Sequence, residues 1–337
     1  MSRIFLTGAS GYVGGDILHL LQSKHPQHKC SVLLRDSAKA AAISKVYPDV
    51  RVVLGDLDSA SLIEEEVRQS DIIINAASSG HIKCVEAIGR GLASRTTPTP
   101  AHWIQISGAS LLSIPDIVNG TFGEPTDKVY SDVDGVHELQ DLIRQNSSTR
   151  LVDNYLLGVS GYKTAVIFPP IIYGQGRGVT KQRSVQVPEL SRVTLQGRAA
   201  VQVGRGESTW SNVHISDLGD LFVKLVEKAV QGDEGDIWGQ NGLYFPGNAM
   251  LNFKTIAQLV ANAAYDMKLV DSNEVNEVSA SEADSLTAKG SVFWGTNAQQ
   301  DSQRARRLLG WAPQGLSLEE EIPTTVRVEA TSLGLLG

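Results

Sequence analysis

Thr7-Gly8-Ala9-Ser10-Gly11-Tyr12-Val13-Gly14-Gly15 follows the apolar run Ile4–Thr7 and opens a helical pattern in which Val13, Ile17, Leu20 and Leu21 share one face. Gly8 permits the tight turn from strand to helix. Gly11 lets the backbone approach a pyrophosphate with no Cβ in the way, and Gly14 lets the helix pack close on the sheet. The helix N-terminus then offers free N–H groups and a partial positive charge to phosphate. Thr7, Gly8, Ser10, Gly11, Tyr12, Val13 and Gly14 are therefore the first candidate ligand-binding residues.

Short apolar runs rich in β-branched residues recur at Cys30–Leu34, Val50–Leu54, Ile72–Asn75, Trp103–Ser107 and Thr164–Phe168. Each is too short for a helix and too continuously apolar for a half-solvated strand, the pattern of parallel strands buried on both faces. Helical patterns alternate with them; Ile82, Val85, Ile88 and Leu92 fall on one face. The alternation predicts an α/β chain, a Rossmann-type doubly wound parallel sheet. Pro169-Pro170 ends the last of these runs by removing two backbone donors. A Gly-rich loop, Tyr173–Gly178, follows, then helices carrying Leu218, Leu221, Phe222, Leu225 and Val226, and Ile256, Leu259, Val260 and Ala263. The expected division is a nucleotide-binding domain over residues 1–174 and a smaller substrate lobe over 175–337, partly interleaved with the sheet. The tail after Ile322 shows weak helical patterning, with frayed last residues expected.

The 337 residues are 42% hydrophobic, which excludes global disorder. Thirty Lys and Arg against 37 Asp and Glu leave a net charge of −7 with no basic block, so no nucleic-acid or membrane partner is expected. Cys30 and Cys84 lie in apolar runs as small buried residues, giving neither a disulfide framework nor a metal site. The N-terminus lacks a signal-peptide pattern, and no window approaches about 18 consecutive apolar residues. A cytoplasmic protein acting on a small molecule is expected, with a homodimer allowed for.

Taken together, the motifs identify a resemblance. Thr7–Gly14 resembles the TGxxGxxG loop of the extended short-chain dehydrogenase/reductase superfamily, which includes nucleotide-sugar epimerases and dehydratases. Gly55-Asp56-Leu57 looks like its adenine-contacting segment, and Asn75-Ala76-Ala77 like the segment lining the cofactor. Ser107 stands where the family places a catalytic Ser. Phe168-Pro169-Pro170-Ile171-Ile172-Tyr173-Gly174 looks like RPxxxYG, Val213–Leu218 like VHVxDL, and Arg306–Pro313 like the LGWxP tail. The resemblance implies an NAD(P)-dependent oxidoreductase acting on a carbonyl, an imine or a related metabolite. It puts Asp56, Leu57, Asn75, Ala76, Ala77, Pro169 and Ile171 beside the cofactor. His81, Gly108, Tyr173, Ser184, Gln186 and Trp210 fall on the substrate side, with Gln175 and Arg177 nearby. For His81 a contact at a helix N-terminus is the alternative. His214 is expected to be structural.

The first apolar run after the glycine loop ends in Arg35 and Asp36. An acidic residue there would accept from a ribose 2′-OH and favour NAD; an Arg would pair with a 2′-phosphate and favour NADP. Asp36 can instead cap the following helix, so NADP is preferred, carried by Arg35. The superfamily's Tyr-x-x-x-Lys pair, in which Lys lowers the Tyr pKa for proton transfer, is missing. The helix before Thr164 should begin near Thr149. Arg150 then falls where the Lys belongs and Asn146 where the Tyr belongs. Arg150 can hold a ribose or phosphate, but it cannot give up a proton at ordinary pH; a surface pair with Asp153 is the alternative. Ser107 and Tyr130 remain as candidate catalytic residues, with a packed surface aromatic as the alternative for Tyr130. Fungal-type atypical members resemble this pattern, keeping the glycine loop and Arg-x-x-Asp without Tyr-x-x-x-Lys. Two other classes stay open: an NADP-binding redox sensor without turnover, and a non-redox isomerase or cyclase.

Overall fold

The first half of the chain alternates strictly. Arg3–Thr7 forms β1, Tyr12–Lys24 α1, Lys29–Leu34 β2, Ser37–Val46 α2, Arg51–Leu54 β3, Ala60–Gln69 α3, Ile72–Asn75 β4, Ile82–Ala93 α4 and His102–Ile106 β5. The computed structural model describes residues 1–97, 99–159, 161–233 and 235–336. After β5 come a 3-10 turn at Ala109–Leu111, α5 (Ile114–Asn119), β6 (Tyr130–Ser131), α6 (Val136–Gln145), α7 (Leu151–Gly158) and β7 (Lys163–Ile167). Beyond Pro169-Pro170 the chain forms β8 (Ile171–Tyr173), α8 (Gln186–Gly197), β9 (Ala200–Val203), β10 (Thr209–His214), α9 (Ile215–Gln231), β11 (Leu243–Tyr244) and β12 (Ala249–Asn252). The last stretch holds α10 (Phe253–Asp266), β13 (Val275–Val278), α11 (Ala280–Leu286), α12 (Gly290–Gly295), β14 (Gln300–Asp301), α13 (Arg304–Leu309) and α14 (Leu318–Ser332).

Seven strands make one parallel sheet in the order β11-β7-β5-β4-β1-β2-β3. Alternate side chains feed two cores. Phe5, Ile73 and Trp103 enter one, while Ile4, Leu6, Ile72, Ile74 and Ile104 enter the other. Both faces are covered by helices, so the strands read as unbroken apolar runs. The chain leaves β1 toward β2 on one side and returns to β4 on the other. That reversal opens a crevice at the carboxyl ends of β1 and β4, where such sheets bind ligands. A second sheet, β12-β10-β8, stands beside it.

Four details differ from the sequence expectations. Tyr173, expected to open the Gly-rich loop, instead ends the strand Ile171–Tyr173, paired in parallel with Asn212–His214. Tyr130 likewise lies in a short strand, in register with Gln300. Helix α7 has eight residues and starts at Leu151, because Asn146–Thr149 closes a separate turn after α6. The tail forms a 15-residue helix whose start is fixed by a capping box between Ser317 and Glu320.

Segment 213–218 and the LGWAP segment turn out to be two halves of one brace. Asp217 accepts from the N–H groups of Gln314 (2.9 Å) and Gly315 (3.0 Å), and its carbonyl accepts from Trp311 Nε1 (2.8 Å). His214 caps α9 through Ser216 N–H, a structural task.

Candidate cofactor and active site

The loop between β1 and α1 is shaped by what cannot fit there. Gly8 has φ +84°, and a Cβ on it would lie 2.6–2.7 Å from the backbone of Ala76 and Ala77. A Cβ on Gly14 would lie 2.2 Å from the Gly8 carbonyl oxygen. Gly11 N–H donates to Gly8 O at 2.8 Å and closes the turn. Gly11 is also the N-cap of α1. It offers no side chain to cap the helix, and no acidic residue occupies the first turn. The α1 N–H groups therefore face the crevice without a side-chain acceptor, the arrangement a pyrophosphate completes.

Three polar residues form a floor under this loop. Thr7, Asn75 and Gln105 stand in register across β1, β4 and β5, all buried. Thr7 Oγ1 donates to Asn75 Oδ1 (2.5 Å), Asn75 Nδ2 to Gln105 Oε1 (2.9 Å), and Gln105 Nε2 to the Ile106 carbonyl (2.8 Å). Buried polar groups satisfied in this way hold the three strand ends rigidly. Ala76 and Ala77 follow directly and lie against Gly8. After β3, Asp56 accepts from Ser59 Oγ (2.8 Å) and Asp58 N–H (3.1 Å), and Leu57 packs partly buried on the core. Asp36 spends its carboxylate on capping α2, accepting from Ala38 and Lys39 N–H at 2.9 and 3.1 Å. Arg35, one residue earlier, is exposed at the end of β2.

A lid of chain crosses the glycine loop from the other side. Tyr12 OH donates to Gly174 O at 2.6 Å, and Thr180 Oγ1 donates to Ser10 O at 2.8 Å. Arg177 binds Asp16 of α1 three times, through its backbone N–H (3.0 Å), Nε (2.9 Å) and Nη2 (2.6 Å). Asp16 is fully buried. Sequence reasoning missed this clamp, although a signal existed: Asp16 sits on the same helical face as Val13 and Leu20, where an acid needs a partner.

Beyond β5 the chain presents a buried group of a different kind. Ser107 N–H donates to Ile167 O (2.7 Å), which seats the residue between β5 and β7. Its Oγ is buried and makes no hydrogen bond. Arg150, the N-cap of α7, reaches over to donate through Nη2 to Ser110 Oγ (3.1 Å) and lies 3.6 Å from Asp153 Oδ2. The Arg150–Asp153 pair is thus formed, but inside the protein rather than on a helix surface. The two side chains are 13% and 2% exposed. Burial lowers the Arg150 pKa, opposed by Asp153. Burial raises the Asp153 carboxyl above its ordinary value, opposed by Arg150 and by the facing Ser107 hydroxyl.

The remaining candidates are placed as follows. Tyr130 is buried beneath Lys128 Nζ, 4.8 Å from its ring centre. It faces a 60 Å³ cavity lined by Leu112, Pro115, Asp116, Thr126, Asn297 and Gln299, and none of Ser107, Arg150 or Asp153 lines it. Burial, then Glu138 and Asp116, raises its hydroxyl pKa. Pro169 O accepts from Ala109 N–H (2.9 Å), bracing the loop that carries Gly108, and Ile171 is wholly buried in β8. Tyr173 OH donates to Leu316 O, Trp210 Nε1 to Thr296 Oγ1, and Gln186 Nε2 to Phe293 O, so these three bind their own chain. Ser184 lines a separate 230 Å³ cavity against α14, together with Gln175 and Arg183. His81 caps α4, its Nδ1 accepting from Cys84 N–H at 3.2 Å. Cys30 and Cys84 are free and buried, and no group of potential metal ligands occurs among the described residues. No described helix is long and apolar enough to cross a membrane.

Comparison with known proteins bears on the fold and on the nucleotide-binding domain. Residues 8–136 match the NAD(P)H-binding domain family. The oxidase ucsJ of an Acremonium species is 36% identical over 99% of both chains. A dTDP-glucose 4,6-dehydratase of Mycobacterium tuberculosis is 28% identical over 24% of this chain and 25% of its own. Among solved structures, the dTDP-glucose 4,6-dehydratase DesIV of Streptomyces venezuelae, solved with NAD, superposes with a TM-score of 0.68. It is 16% identical and covers 99% of this chain and 98% of its own. A UDP-glucose 4-epimerase of Thermotoga maritima, solved with UDP-glucose, gives 0.62 at 16% identity, over 98% and 99%. These two likenesses concern the fold.

Proposed function

Because this chain belongs to the NAD(P)H-binding, extended short-chain dehydrogenase/reductase family, we propose that it is an NADPH-dependent reductase of a carbonyl or imine in a small metabolite. The observation that carries the reading is Ser107. It is a buried hydroxyl with no partner, at the carboxyl end of a central strand, beside a glycine loop built for a dinucleotide. Thr7–Gly14 and the α1 N-terminus would hold the pyrophosphate, with Ala76 and Ala77 lining the cofactor's path. Arg35 would meet the 2′-phosphate, since Asp36 is committed to its own helix. A bound nicotinamide supplies a hydride with its electron pair. Ser107 then orients the substrate oxygen and offers it a proton. The 36% identity to an oxidase supports redox chemistry over a purely structural use of the fold.

Titration with NADPH and NADH tests the cofactor. Arg35→Ala is expected to weaken NADPH about tenfold, the size of one exposed charge-assisted contact, and to leave NADH unchanged. Equal weakening of both refutes the NADP assignment. Loss of NADPH absorbance against a panel of ketones, enones and imines tests the reaction. Ser107→Ala is expected to slow the active member by about 10²-fold, and Tyr130→Phe by less than about tenfold. Tight NADPH binding with no turnover on the whole panel would favour the sensor or isomerase reading instead.

A further inference from the structure

The reductase reading leaves one question open. Ser107 cannot replace its own proton, and the family's Tyr and Lys are absent. Residues 107–110 and the start of α7 bring together the groups that can do so. Asp153 is 2% exposed, and neither carboxylate oxygen has a hydrogen-bond partner. Ser107 is 7% exposed; its hydroxyl acts on the Asp153 carboxyl, opposing the rise in its pKa, and has no other partner. A buried polar group without a full set of partners carries a desolvation penalty of about 1–3 kcal/mol, and two of them brought together at the end of a central strand call for an explanation.

We propose that Asp153 holds the proton that Ser107 passes to the substrate oxygen, so that Ser107–Asp153–Arg150 replaces the missing Tyr–Lys pair. This rests on the reductase reading. As the substrate carbon takes the hydride, its oxygen gains the electron pair of the broken π bond. Ser107 Oγ–H donates to that oxygen, giving a hydroxyl. The Asp153 carboxyl returns a proton to Ser107 Oγ, and the carboxylate that remains is stabilised by the Arg150 guanidinium 3.6 Å away. Water reprotonates Asp153 between turnovers. Arg150 is itself fixed by Ser110 Oγ and stays charged throughout. Asp153 thus acts through Ser107, as a positioning residue that also stores a proton.

The electrostatic surroundings suit this task. The groups acting on Asp153 are Arg150 from its own helix and Ser107 from the β5 loop. Of the titratable side chains on the helices packed against α7, His137, Glu138, Asp141 and Arg144 of α6 and Lys83 of α4 are exposed. Glu86 and Arg90 of α4 act on Tyr155 instead. Burial therefore prevails and shifts Asp153 toward its neutral, proton-bearing form.

Infrared difference spectroscopy of the full chain at neutral pH reads the stored proton directly. A protonated carboxyl component that shifts in D2O is expected, lost on Asp153→Asn beyond the small share that Asp132 contributes to every variant, and retained in Ser107→Ala with an altered frequency. No such component, or one undiminished by Asp153→Asn, overturns the proposal. Reduction of phenanthrenequinone by NADPH reads the relay. Asp153→Asn is expected to lower kcat at least tenfold, to leave the KM for NADPH within about twofold, and to remove the alkaline fall in the pH profile. A kcat and pH profile unchanged by Asp153→Asn also overturn it. If Asp153→Asn does not fold, the frequency change in Ser107→Ala decides, and an unmoved band refutes the Ser107–Asp153 contact. A wild-type protein that binds NADPH and reduces no probe refutes the reductase reading and the relay with it, whatever the band shows.

Discussion

At the scale of single residues, the glycine loop separates two requirements that the sequence presents as one. A Cβ on Gly14 would collide with the Gly8 carbonyl at 2.2 Å, backbone against backbone. A Cβ on Gly11 would meet the same oxygen only at 3.2 Å. Gly14→Ala is therefore expected to destabilise the fold by about 1–3 kcal/mol, as overpacking does. Gly11→Ala should fold with a much smaller loss and still bind NADPH poorly, because in the proposed cofactor placement its methyl would enter the space of the pyrophosphate. Urea midpoints together with NADPH fluorescence titration separate the two. Equal destabilisation by both would contradict this division of roles. The glycines themselves were legible, since strand, loop and helix are consecutive in sequence. Asp153 was legible only as a partner of Arg150. Its depth follows from the packing of α7 beneath the loop after β5, which no local pattern encodes.

Among elements, the fold is held by contacts between segments far apart in sequence, and these were the hardest to foresee. The strands β1 to β5 and β7 were visible within a residue or two, because burial on both faces leaves an unbroken apolar run. The two-residue strands β6, β11 and β14 carry no such signature. The clamp of loop 174–178 onto α1 joins residues 161 positions apart. Removing one partner of a buried pair leaves the other charge uncompensated. Arg177→Ala should thus cost about 3 kcal/mol or more through Asp16. It should also free the lid over Ser10, raising proteolytic cutting between 174 and 184. Adding Asp16→Asn to that variant should recover part of the stability. A change below about 1 kcal/mol in Arg177→Ala would show that the charge is solvated and the clamp weak.

The whole molecule depends on pH through a staple that joins its parts. Asp132, wholly buried, accepts from Phe245 N–H (2.9 Å), Gln303 N–H (2.8 Å) and Arg304 N–H (2.9 Å), tying the segment after β6 to β11 and α13. Burial raises its carboxyl to about 6, against the pull of those donors and of Arg304. A group whose pKa is raised by folding binds its proton more tightly in the folded chain. Its stabilising contribution is full below the unfolded value near 4 and is lost as pH rises through about 6. The loss is on the order of 2–3 kcal/mol. Urea midpoints should fall between pH 4.5 and 7.5, and Asp132→Asn should flatten that fall while lowering stability throughout. An unchanged slope in the variant would assign the effect to other groups. The staple stands beside β11, which completes the sheet by pairing in parallel with β7; at the two ends of the pairing Val166 N–H donates to Gly242 O at 2.7 Å and Phe168 N–H to Tyr244 O at 3.0 Å. During synthesis β7 leaves the ribosome roughly 75 residues ahead of β11. At about 5–20 residues per second its outer edge stays bare for several seconds, a template for pairing with any neighbouring nascent chain. Slower passage between these two strands lengthens the time for which that edge is exposed.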